Sequence, residues 1–219
     1  MMKLIRYILI FSFYLTSNAV ALIEIDITEG NREPLPVAIT NFFYDEVDLM
    51  ELNEISKSLS EVVSADLERC GLFAAIDKGA FIQKNPAMHL KPRFEDWRLI
   101  KAQALVTGRL KLVDDDKLRV EFRLWDTLAE KEIEALVLIT TTDNWRRISH
   151  MIADKVYERL TGEGGYFDTR ILYVAESGPK NKRIKKLSIM DQDGANHRFL
   201  TSGKELVLTP RFNPVKQEI

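Results

Sequence analysis

The apolar positions change period several times along the chain, and each change marks an element. Residues 22–28 (LIEIDIT) alternate: Ile23, Ile25 and Ile27 share one face, Glu24 and Asp26 the other. A period of two predicts a half-buried strand. Residues 35–41 (LPVAITN) hold a continuous apolar run, which predicts a strand buried on both faces. The period then lengthens. Leu52, Ile55, Leu59, Val62, Val63 and Leu67 recur three and four apart, predicting an amphipathic helix over about 49–70. Gly71 supplies its left-handed stop. A shorter helix is predicted over 94–101. Residues 104–112 and 118–125 read as a hairpin; Leu118, Val120, Phe122 and Leu124 face one way, Arg119, Glu121, Arg123 and Trp125 the other. A third strand follows over 132–141. A helix over 144–161 turns Trp145, Ile148, Ile152, Val156 and Leu160 inward, with Asp143 as the expected N-cap. These elements predict an α/β domain, a mixed sheet with packed helices, similar in outline to an anticodon-binding domain.

Past residue 166 the pattern shortens. Residues 169–176, 183–190, 197–201 and 206–212 are four short strand-like runs separated by Gly- and Pro-containing turns. Four short strands in this span predict about one blade of an all-β propeller. One blade alone leaves sheet surface uncovered.

Charge follows the same division. Residues 22–166 carry 19 basic and 27 acidic side chains, a net −8, whereas residues 167–219 carry 10 basic and 6 acidic, a net +4. The sign changes across Gly162, Gly164 and Gly165, which read as a helix stop and linker. The chain of 219 residues has a formal net charge of −2, which argues against nucleic-acid binding by bulk charge. The domains expected are therefore 22–166 and 167–219.

Residues 1–21 read as a secretory signal peptide. Lys3 and Arg6 precede an apolar stretch at 7–16, and Ala19-Val20-Ala21 is a small-residue cleavage pattern. The apolar run is too short for a spanning helix, which needs about 20 residues. The expected mature chain begins at Leu22, in an exported compartment. The single Cys, Cys70, has no partner for an internal disulfide and reads as a small apolar core residue.

Candidate chemistry is sparse. His89, His150 and His197 show no metal-ligand spacing with one another or with Cys70. Asp191 and Asp193 before Gly194 resemble half of a calcium loop, but Ile189 and Leu200 would occupy the first and twelfth places, so the segment reads as a turn. Asp114, Asp115 and Asp116 read as a solvated hairpin tip. The glycines at 162–165 lack a phosphate-loop pattern, and there is no nucleophile elbow. Lys180, Lys182, Arg183, Lys185 and Lys186 read as a solvated loop. The sequence assigns no catalytic, cofactor or metal residue.

Four stretches together resemble the TolB family: 25–30 with 36–42, 94–97 with 104–108, 152–162 with 165–174, and 187–196 with 208–214. Their order and spacing over residues 22–219 carry the resemblance. Where the family's blade usually ends in Ser-Pro-Asp-Gly, this chain has Asn213, Pro214, Val215 and Lys216. The resemblance implies an N-terminal α/β domain followed by a six-bladed propeller, of which this chain holds about one blade, as a fragment or a shortened product. It implies a periplasmic, non-enzymatic adaptor of the Tol-Pal system, serving envelope integrity and cell division. The implied partners are a TolA-like inner-membrane protein and the Pal lipoprotein, Pal engaging mainly the propeller. The implied contact for the TolA-like protein is the mature N-terminus: Leu22, Ile23, Glu24, Ile25, Asp26, Ile27, Thr28, Glu29 and Gly30. A strand there could add to a partner's sheet edge or complete its own sheet. The competing expectation is the propeller part of a secreted serine peptidase.

Overall fold

A computed structural model of the chain describes residues 33–44, 50–84, 91–114, 116–214 and 216. The strand and cleavage site expected before residue 31 lie outside the described residues.

The first domain is built on a mixed five-stranded sheet. Strand β1 (Leu35–Ile39) runs parallel to β2 (Phe73–Ala75) on one side and to β3 (Ala104–Asp114) on the other. Strands β4 (Lys117–Asp126) and β5 (Lys131–Thr141) extend the sheet antiparallel, giving the order β2-β1-β3-β4-β5. Helix α1 (Met50–Arg69) crosses over from β1 to β2, and α3 (Trp145–Thr161) follows β5. Both pack on one face. There, Leu52, Leu59, Val63 and Leu67 of α1 and Ile148, Ile152 and Val156 of α3 meet Leu118, Val120, Phe122 and Leu124 of β4. Successive strand residues point to opposite faces, so Ala38, Leu105 and Trp125 turn to the other side. Phe81 and the short helix α2 (Phe94–Leu99) cover them, with Trp97 fully buried. Each large apolar side chain so buried contributes roughly 1.5–3 kcal/mol.

Local chemistry sets the ends. Gly71 and Gly162 both take φ +77°, stopping α1 and α3 in the left-handed region that glycine enters without steric cost. After β1 the chain stays against β3: Phe43 N donates to Gly108 O at 2.8 Å and Leu110 N to Phe43 O at 2.7 Å. The Phe42 ring lies directly over Gly108, where a Cβ would sit 2.2 Å from ring carbons.

Two expectations are corrected, and one strand is added. Helix α3 is not capped by Asp143. A 3-10 turn over Thr142–Asn144 precedes it, Asn144 takes the cap position, and no side chain caps it. Strand β2 went unforeseen because three residues carry no readable period. Among the described residues the second unit has three strands, not four: β6 (Arg170–Ser177), β7 (Ile184–Asp191) and β8 (Arg198–Phe199), antiparallel in that order. Residues 206–212 form no strand; Leu206, Leu208 and Phe212 are exposed, so their apolar side chains make no buried face that would hold a strand there. The remaining architecture is as expected, a mixed sheet with helices followed by a small antiparallel sheet.

Candidate functional site at the domain junction

The two core helices bring a carboxylate and an imidazole together inside the protein. Asp66 falls on the apolar stripe of α1, three residues after Val63 and one before Leu67, and is fully buried. His150 lies on the inner side of α3 and is 2% exposed. A buried charge demands partners. Asp66 Oδ2 meets His150 Nδ1 at 2.6 Å, while Asp66 Oδ1 accepts from Arg69 Nη1 at 2.8 Å and from Gln192 Nε2 at 3.0 Å.

Gln192 belongs to the turn after β7, so Asp66 ties the two domains directly. The turn is held in shape by Gly194 at φ +87° and by Gly194 N donating to Asp191 O at 2.9 Å. It presents Asp193 to α3. Arg146 Nε donates to Asp193 Oδ2 at 3.1 Å, and Arg146 Nη2 reaches the same oxygen. Ala195 N holds the other oxygen at 3.0 Å. Beside them, Asn196 Nδ2 donates to Asp191 Oδ2 at 2.5 Å. The linker is pinned as well. Asp154 of α3 accepts from Phe167 N at 2.6 Å and Asp168 N at 3.0 Å, and Phe167 is buried in the first domain's core. Arg147 pairs with Asp168 at 3.2 Å.

These contacts shift the titrating groups. Burial alone pulls the His150 imidazole down, but the hydrogen bond and charge of Asp66, with the charges of Asp193 and Asp191, hold it above its ordinary value. Burial pushes Asp193 up, yet the Ala195 amide, Arg146 and His150 bring its carboxyl below the usual range. Burial lifts Asp154 above that range, against its two amide donors.

A cleft of about 420 Å³ opens between the domains, lined among others by Arg147, His150, Asp168, Asp191 and His197. The Asp66–His150 pair has the form of a carboxylate orienting an imidazole, but no hydroxyl or thiol among the described residues hydrogen-bonds His150 Nε2. Cys70 lies elsewhere, partly buried against the core, its Sγ donating to Leu67 O at 2.9 Å, and burial pushes its thiol up.

Leu22 to Gly30, the partner segment suggested by the sequence, lies outside the described residues. The turn at 191–194 is a turn, as expected, and its contacts with His150 and Asp66 are what sequence reasoning missed. Their separations, 43 residues for Asp193 and His150 and 126 for Gln192 and Asp66, match no local motif. The available signal was Asp66 itself, an acidic residue at a core position of an otherwise apolar stripe.

A mixed α/β layer locked by buried polar contacts to a small antiparallel sheet defines a two-part protein, α/β followed by all-β. Residues 23–133 match the TolB amino-terminal domain, and residues 157–219 match the TolB beta propeller domain. The chain belongs to the TolB family. It is 56% identical to the Tol-Pal system protein TolB of Pelagibacter ubique (strain HTCC1062), an alignment covering 99% of this chain and 50% of that protein. The chain thus spans about half the length of the curated relative it matches. The crystal structure of TolB from Acinetobacter baumannii superposes with a TM-score of 0.67 at 25% identity, over 86% of this chain and 44% of that one. Among the described residues, no helix is long and apolar enough to cross a membrane.

Proposed function

We propose that the chain acts as a non-enzymatic adaptor of the Tol-Pal system in the periplasm, exported by residues 1–21 and joining a TolA-like inner-membrane protein to the Pal lipoprotein in support of envelope integrity during division. The observation that carries this reading is the match of both units, in order, to the two TolB domains. The 56% identity to a Tol-Pal system protein supports the same system. Leu22 to Gly30 is the proposed contact for the TolA-like protein. Its alternation of isoleucine with acidic residues suits strand addition, where backbone hydrogen bonds supply affinity and alternate side chains supply selectivity. The propeller is the proposed Pal surface, and residues 167–219 are proposed to hold only its opening strands. The test is deletion of residues 22–30. Binding to the TolA-like protein falls at least tenfold while the melting temperature holds; undiminished binding overturns the assignment.

A further inference from the structure

We propose that His150, Asp191 and Asp193 form a site for a divalent cation of the zinc kind, set between α3 and the turn after β7. One ligand atom from each of the three lies within 4.8 Å of the other two. The two carboxylates would not suffice by themselves. The independent observation is His150 Nε2. It belongs to a side chain 3% exposed, has no hydrogen-bond partner, and points at Asp193 Oδ2 from 3.8 Å.

The surroundings have the construction of a metal site. Imidazoles that bind a cation through one nitrogen commonly give the other to a carboxylate, which fixes ring orientation and raises basicity. Asp66, at 2.6 Å from Nδ1, stands in that place. The ligating carboxylates have outer partners of their own. Arg146 and the Ala195 amide hold Asp193, and the Asn196 amide holds Asp191. One imidazole nitrogen with two carboxylates suits zinc more than the all-oxygen shells that calcium and magnesium favour. Zinc bonds of about 2.0–2.2 Å would draw the three groups together, and Asp191, at 15% the most exposed of them, also faces Arg170 Nε at 3.9 Å. The cleft beside the cluster leaves space for water to complete the coordination. Such a cation would bridge the two domains.

The test is calorimetric titration of the EDTA-treated chain with zinc chloride, with calcium and magnesium chloride in parallel. The expected result is one zinc per chain, with calcium and magnesium bound at least tenfold more weakly. Asp191→Asn weakens zinc binding at least tenfold and His150→Gln abolishes it. Cys70→Ser, which removes a thiol lying outside the cluster, leaves it unchanged. Circular dichroism confirms that each variant is folded, and Asp191→Asn, altered at the end of β7, keeps the test valid should His150→Gln unfold. No zinc binding at 100 µM, binding that survives Asp191→Asn, or a preference for calcium would overturn the proposal.

Discussion

Asp66 Oδ1 accepts a hydrogen bond from Gln192 Nε2 at 3.0 Å, joining a fully buried carboxylate of the first domain to a turn of the second across 126 residues of sequence. The same carboxylate holds His150 and Arg69, so three partners depend on one buried charge. Removing one side of a buried pair leaves the other uncompensated. Asp66→Ala is expected to lower stability by about 3–5 kcal/mol, and Gln192→Ala by only about 1 kcal/mol. Urea denaturation followed by fluorescence checks both; equal effects would show that Asp66 matters only through Gln192.

The contact between Phe42 and Gly108 tests the packing of the sheet. A Cβ at 108 would enter the Phe42 ring. Gly108→Ala is expected to destabilise by about 1–3 kcal/mol. Adding Phe42→Leu should recover part of the loss, because the ring is what the methyl meets. Additive losses in the double-mutant cycle would contradict this contact.

Asp154 is the anchor of the linker. Asp154→Ala strands two amide donors and should speed hydrogen exchange at Phe167 and Asp168, with a loss of about 1–3 kcal/mol. Asp154→Asn keeps an acceptor and should lose less. The carboxyl's folded pKa is raised, so its contribution is fully present below the ordinary value of 3.8 and is lost as pH rises through the folded value. Relative to the parent, the Asn variant is therefore expected to fare better above that window than below it. An unchanged stability difference across pH 3–7 would contradict the shift.

Most of the fold was legible, and the junction was not. Periodicity gave α1 because six apolar residues repeat on one face, and it gave β3 and β4 because a long hairpin alternates cleanly. It missed β2, where three residues carry no period, and it overextended into 206–212, where apolar residues look strand-like but lie exposed. His150, Asp66 and Asp193 each look ordinary in their local context. Only the pairing of α1 with α3, and of both with the turn after β7, makes them neighbours.

The opening strands of the second unit depend on what they are attached to. Phe167 packs in the first domain's core, and Gln192 and Asp193 dock on α1 and α3. Residues 167–219 expressed alone are expected to be unfolded or to associate through open strand edges. A dispersed heteronuclear NMR spectrum from a monomer would contradict this.

Residues 22–30 are the proposed contact for the TolA-like protein, added as a strand to that partner's sheet edge. Amide hydrogen exchange over Leu22 to Gly30, with and without the TolA-like protein, tests it most directly. Fast exchange is expected in the free chain, and strong protection at alternate residues of this segment in the complex, as for a strand paired along one edge. Bound complex with exchange unchanged across 22–30 would contradict it.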